Sequence, residues 1–284
     1  VTCARVREAA KTLNYRPNTA ARGMATGSTR MVGVTVPSGE YCGRILEGIN
    51  GALLQRDHLM LHAWNPNPFV SSDDPMQRKI IHELVERQVE GVVLRVGSEE
   101  FERTYFEEIW QRGIPMIVVD REMALFKTDF VGSDDVAIGS DAARHLLELG
   151  HRKLLFLGEA ESVSSARLRE QGFRDVVSEA SDAACRKLVV STENCDVETL
   201  IEALRVPDRP TCIFCYSDDL VPLLYEAVDK LGLSIPQDLS VVGCGNEAWS
   251  SMVRPALTTF EQYPEKVGQQ AVDLCLERIA ENST

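Results

Sequence analysis

The 284 residues, 44% hydrophobic, 26% charged and 6% aromatic with a net charge of −13, have the composition of an ordinary soluble protein long enough for two domains. No run approaches the roughly 18 apolar residues of a membrane helix, and the start lacks the basic, apolar, small-residue order of a secretory leader, so no membrane association is expected. Eight cysteines are too sparse for a disulfide scaffold. Cys42, Cys185, Cys212, Cys215, Cys244 and Cys275 sit in apolar or periodic stretches where a buried thiol acts as a small hydrophobe, which fits a reducing cytoplasm.

The charge divides unevenly. Arg5, Arg7, Lys11, Arg16, Arg22 and Arg30 face Glu8 alone in residues 1–30, leaving +5 there and −18 on the rest. A basic arm on an acidic body is either a segment that meets phosphates or a solvated helix without a partner. Within the arm, Cys3 to Leu13 reads as a helix with Val6, Ala9, Ala10 and Leu13 on one stripe. Pro17 closes it, and Asn18 caps a second helix of under two turns over 19–25, too short to persist without a partner.

From Met31 onward, short β-branched runs alternate with amphipathic stretches. Strands are predicted at 31–36, 59–63, 91–96, 115–119, 153–158, 187–190, 211–216 and 239–243. Helices are predicted at 42–57, 75–88, 100–112, 135–149, 165–180, 196–205, 218–231 and 263–281. This cadence makes βαβ units, and it restarts after Gly150-His151-Arg152, which favours two sheets of four or five strands over one of eight. The fold class is therefore α/β, as two doubly wound parallel-sheet lobes. Ligands of such sheets sit outside the carboxyl ends of the strands, here between the lobes.

No motif demands catalysis, a cofactor or a metal. Gly243-Cys244-Gly245-Asn246 follows a strand but lacks the long helix that holds a pyrophosphate, and reads as a tight turn. A spacing of three puts Cys212 and Cys215 on opposite faces of one strand, and His58 and His62 straddle a helix–strand junction. What remains are polar residues at strand ends: Ser38, Glu40 and Tyr41 after the first strand, Asp120 after the fourth, and Ser217 and Asp218 after TCIFCY, with Arg169 opening the helix after KLLFLG. Each alone is an ordinary cap or surface residue; together on one edge they suit a small polyhydroxyl ligand, with Trp64 offered as a face for a sugar ring.

Several stretches combine into a resemblance that runs along nearly the whole chain: Leu13-Asn14-Tyr15-Arg16-Pro17-Asn18 with Ala20-Ala21-Arg22, Val32-Gly33-Val34-Thr35-Val36-Pro37, Gly150-His151-Arg152, Ser164-Ser165-Ala166-Arg167-Leu168-Arg169 with Gly172-Phe173, Leu239-Ser240-Val241-Val242-Gly243 and Pro255-Ala256-Leu257-Thr258-Thr259. In these the chain resembles the lactose-repressor/galactose-repressor (LacI/GalR) family of bacterial transcription factors. The resemblance implies a periplasmic-binding-protein-like core and a homodimeric repressor whose small-molecule effector, a sugar or sugar derivative, sits in the cleft. A sugar-binding receptor of a transport system is the alternative. Residues 1–29 resemble the end of a helix-turn-helix headpiece and a hinge helix, with Asn18, Ala21, Arg22 and Met24 at operator DNA and Met24 as the minor-groove wedge. The rest of that headpiece is expected upstream of residue 1. One lobe is expected over 30–150 plus 262–284, the other over 151–258.

By the same resemblance Arg169, Asp120, Ser217 and Asp218 are effector-binding residues. Where the family usually has an aromatic and then an aspartate after Val242-Gly243, this chain has Cys244-Gly245, so either Asn246 or Glu247 stands in or the ligand differs. Replacing Arg169 by alanine is expected to abolish effector binding and leave the fold intact.

Overall fold

Runs such as GVVL at 91–94 lack the alternation of a half-exposed strand because both of their faces are covered, the signature of a parallel sheet between helical layers. In the computed structural model, which describes residues 2–14, 28–64, 75–97, 106–125, 127–159, 163–190 and 195–282, these runs assemble into two five-stranded parallel sheets. The first joins β1 (Met31–Thr35), β2 (Leu59–His62), β3 (Gly91–Leu94), β4 (Met116–Val119) and β5 (Asp129–Val131) in the order β2-β1-β3-β4-β5. The second joins β6 (Lys153–Gly158), β7 (Ala184–Val189), β8 (Cys212–Cys215), β9 (Ser240–Cys244) and β10 (Thr258–Phe260) in the order β10-β9-β8-β6-β7. Both orders are the same doubly wound pattern, reversing direction at the first strand of each sheet.

Eight of these ten strands lie where the runs predict them, and β5 and β10 are additions of three residues each. β7 begins at Ala184, ahead of the predicted 187, because it is an edge strand partly exposed on both faces, which tolerates Arg186 on one face and Lys187 on the other.

The helices are α1 (Thr2–Thr12), α2 (Glu40–Gln55), α3 (Pro75–Glu86), α4 (Glu107–Gln111), α5 (Asp135–Glu148), α6 (Ser164–Glu179), α7 (Val197–Leu204), α8 (Val221–Lys230) and α9 (Pro264–Asn282). On the first sheet, Ile45 and Ile49 of α2 and Val267 and Ala271 of α9 cover one face, while Ile80, Ile81 and Leu84 of α3 and Ile109 of α4 cover the other. The second sheet has its own core, in which Phe173 stacks on Phe214 at 5.4 Å and Phe156 meets both at 5.9 and 5.7 Å. α1 forms where its periodicity puts it, but Val6 and Leu13 are 63% and 78% exposed, so its apolar stripe faces solvent. The predicted second helix at 18–25, with Asn18, Ala21, Arg22 and Met24, lies outside the described residues.

One boundary moves. α5 falls within the expected first lobe of 30–150, yet it packs along α6, and its Ala142, Ala143 and Leu146 belong to the second core. The chain crosses between the sheets in the short segment from Gly132 to Asp134, between β5 and α5. It returns between β10 and α9, and α9 lies along α2 of the first sheet.

Candidate functional site

In a doubly wound sheet, the loops on either side of the reversal point run to opposite faces and leave a crevice at the carboxyl edge. The two sheets aim these edges at one another. The first contributes Ser38, Glu40 and Tyr41 after β1, Arg95 after β3, and Asp120 and Arg121 after β4. The second contributes Ser165 and Arg169 of α6, Tyr216, Ser217 and Asp219 after β8, and Cys244, Gly245 and Glu247 at and after the end of β9. With Gln262 of the second crossover they line a cleft of about 260 Å³.

The base of the cleft is cationic. Arg169 is buried, its Nε donating to Asp135 Oδ1 at 2.7 Å and its Nη1 to the Tyr216 carbonyl. Burial opposes its charge, but Cys244, Asp135 and Asp120 more than offset that and raise its pKa. Asp135 responds the other way: burial lifts its pKa to about 6 despite the pull of Arg169. On the opposing sheet Arg95 Nε donates to Asp120 Oδ2 at 2.5 Å. Burial pushes the Asp120 carboxyl up, and Arg95 and Arg121 outweigh it and hold the group below its ordinary value. Asp120 takes a left-handed backbone, φ 68°, which aspartate tolerates better than most residues and which turns the chain sharply at the end of β4.

The rim is acidic and joins the sheets. The backbone N–H of Ala248 donates to Glu40 Oε1, and the Glu122 N–H donates to Ser164 Oγ at 2.9 Å, each bond running from one lobe to the other. Glu247 also shares a side-chain hydrogen bond with Glu40; burial, that bond and the Glu40 charge push its pKa up to about 8. The Glu247 carboxyl therefore keeps its proton near neutral pH.

Ser38, Tyr41, Asp120, Arg169 and Ser217 all line the cleft; three other expected site residues do not. Asp218, 1% exposed, accepts from Thr259 Oγ1 at 2.8 Å, Ser250 Oγ at 3.1 Å and the Glu247 N–H at 3.4 Å, so it ties the ends of β8, β9 and β10 together behind the cleft wall. Asn246 is exposed and turns outward, its Nδ2 donating to Glu261 Oε2 at 2.8 Å; Glu247 takes the cleft position instead. Trp64 is half-buried beyond β2, the edge strand, where nothing carries it to the central crevice.

Arg95, Arg121, Tyr216 and Gln262 join the site without having been singled out in the sequence. The signal for Arg95 was a guanidinium interrupting the apolar run GVVLRV at the end of a central strand, where no solvent face is available for it. Away from the cleft, His82, Glu86 and Glu108 bring ligand atoms within 4.8 Å of one another on the surface. Arg112 reaches Glu86 at 3.6 Å and Glu108 at 3.9 Å, so local ion pairing explains that cluster.

Residues 143–284, half of the chain, match the periplasmic binding protein-like domain family. The chain belongs to this family. The HTH-type transcriptional repressor PurR of Pectobacterium atrosepticum is 29% identical over 284 residues, spanning 98% of this chain and 82% of its own. The HTH-type transcriptional regulator DegA of Bacillus subtilis is 29% identical over 263 residues, 90% of this chain and 76% of its own. Among solved structures, a LacI family transcriptional regulator from Enterococcus faecalis V583 with bound ribose has a TM-score of 0.73 at 26% identity, covering 89% of this chain and 92% of its own. The resemblance carried by the sequence motifs is thus borne out. These relatives are transcriptional regulators rather than enzymes or transport receptors, and no described helix is long and apolar enough to cross a membrane.

Proposed function

We propose that this chain is the effector-binding core of a cytoplasmic, homodimeric transcriptional repressor and performs no catalysis. A small hydroxylated effector enters the cleft, changes how the two sheets close on each other, and thereby alters the grip of a hinge segment at 18–25 on operator DNA. The observation that carries this is the cleft itself: polar side chains from both sheets converge on it, and the hydrogen bonds at its rim run from one lobe to the other. A ligand touching both sheets binds the closed arrangement better than an open one, which is the differential affinity a population shift requires. The regulator relatives and the ribose-bound LacI family neighbour support a sugar or sugar derivative as effector.

Such coupling is typically about 1–3 kcal/mol and reciprocal, so operator DNA must change effector affinity by the same factor. The full-length protein is to be titrated calorimetrically with its effector, alone and on an operator fragment selected for binding. A difference of about 5- to 150-fold is expected; equal affinities overturn the mechanism.

A further inference from the structure

The three guanidiniums at the base of the cleft have two carboxylates within 4 Å among the described residues. Arg169 pairs with Asp135 at 2.7 Å and Arg95 with Asp120 at 2.5 Å. For Arg121 the nearest carboxylate oxygen is Asp120 Oδ2, 3.9 Å from Nε and already taken by Arg95. The Arg121 side chain is only 9% exposed. Its Nη1 donates to the Gly97 carbonyl at 2.9 Å, while its Nε is buried without a hydrogen-bond partner. Burial and the neighbouring Arg95 charge lower the Arg121 pKa to about 10, an unusual depression for a group that otherwise stays charged at every accessible pH. A buried cation persists when something compensates it, and here the described residues supply one carboxylate too few.

The lining also carries groups of the opposite character. Glu40, Asp219 and Glu247 stand in it with Ser38 and Ser217, a set suited to hydrogen-bonding hydroxyls. At about 260 Å³ the cleft lies just under the roughly 300–1,000 Å³ of sites for drug-sized ligands, which suits one ring or a short chain. Resting on the reading of this cleft as the effector site, we propose that the effector is a small polyol bearing one oxyanion, a sugar acid or sugar phosphate, with the anion against Arg121 and Arg95 and the hydroxyls toward Glu40, Asp219 and Glu247. A neutral sugar leaves the surplus cation as it is; an oxyanion completes it.

The test is calorimetric titration and thermal shift of the full-length protein with matched triads: ribose, ribonate and ribose 5-phosphate, and glucose, gluconate and glucose 6-phosphate. At least one anion is expected to bind about tenfold or more tighter than its neutral parent, as loss of a charge-assisted hydrogen bond implies. Whether carboxylate or phosphate wins identifies the source of the oxyanion. Arg121→Gln is expected to remove that preference, the anion losing about tenfold or more affinity beyond whatever its neutral parent loses. Should that variant fail to fold, Arg121→Lys, which keeps the charge and loses the forked donors, serves instead and is expected to weaken the preference. Neutral sugars binding as tightly as both anions, or an anion preference that survives loss of the guanidinium, overturns the inference and leaves the cleft as effector site. If no member of either triad binds, the inference and the sugar-effector reading of the cleft fall together.

Discussion

Arg169 does two jobs. It lines the cleft, and it also carries the charge that lets Asp135 stay buried and ionised between α5 and α6. Alanine at this position therefore removes more than a ligand contact, contrary to the expectation of an intact fold. Breaking a buried pair on one side costs about 3–5 kcal/mol, whereas replacing both partners by apolar groups is often neutral. Urea unfolding of Arg169→Ala at pH 8 is expected to show that loss, relieved at pH 5, where the stranded Asp135 takes up a proton. Arg169→Met combined with Asp135→Leu is expected to regain most of the stability and none of the effector binding; a double variant as unstable as the single one refutes the pairing argument. Glu247 makes a second, opposite prediction. Its folded pKa of about 8 lies above the ordinary value near 4.3, so its contribution is fully present below about pH 4 and is lost as pH rises through 8. Its neighbours Glu40, Asp218 and Asp219 add to the effect, since each raises the cost of a second negative charge. Glu247→Gln keeps a donor on Glu40 without titrating. Its melting temperature is expected to fall less between pH 5 and 9 than that of the wild type, and identical profiles count against a shared proton at the rim.

At the scale of elements, the site depends on how closely two helices approach. A Cβ on Gly139 of α5 would overlap the Arg169 carbonyl, and one on Gly172 of α6 would overlap the Val136 carbonyl. These glycines let the two backbones touch, and that contact sets Asp135 against Arg169. Alanine in a helix interior ordinarily gains about 0.5–1 kcal/mol over glycine. Gly172→Ala is instead expected to lose about 1–3 kcal/mol by overpacking and to weaken effector binding as α5 is pushed away; chemical denaturation and titration read both, and a stabilised variant with normal affinity rules the packing argument out. Gly139 does not stand out in the sequence, and Gly172 does so only as part of the family resemblance, because nothing in a single helix announces its crossing partner. Most strands were legible, since β-branched runs between amphipathic stretches have few alternative structures. β5 and β10, at three residues, are too short to show a period. Ser38, Tyr41, Asp120, Arg169 and Ser217 were readable from their place at strand ends. Asp218 was not separable from Ser217 by that rule; only the structure shows that one side chain faces the cleft and its neighbour turns back to brace β9 and β10.

For the whole molecule, the decisive feature is that each sheet has its own apolar core and the connections between them are polar and few. The chain crosses between β5 and α5 and again between β10 and α9, and the two crossings are bound to each other where Gln262 Nε2 donates to Ser133 Oγ at 3.3 Å and to Tyr41 Oη at 3.4 Å. Across the cleft the Glu122–Ser164 and Ala248–Glu40 hydrogen bonds add a little, at about 0.5–1.5 kcal/mol net for a typical bond and somewhat more where a charged group takes part. Units joined this loosely open independently, because losing one core strands little apolar surface of the other. The expected outcome in differential scanning calorimetry is two overlapping transitions without ligand, one per lobe. A ligand held by both sheets is lost when either lobe unfolds. At about 100 times its dissociation constant it adds about 2.7 kcal/mol to whichever lobe would open first. The lower transition is therefore expected to move up with effector concentration until the two merge. A single transition in the absence of ligand, with calorimetric and van't Hoff enthalpies equal, would mean that the lobes unfold as one cooperative unit and would refute their independence.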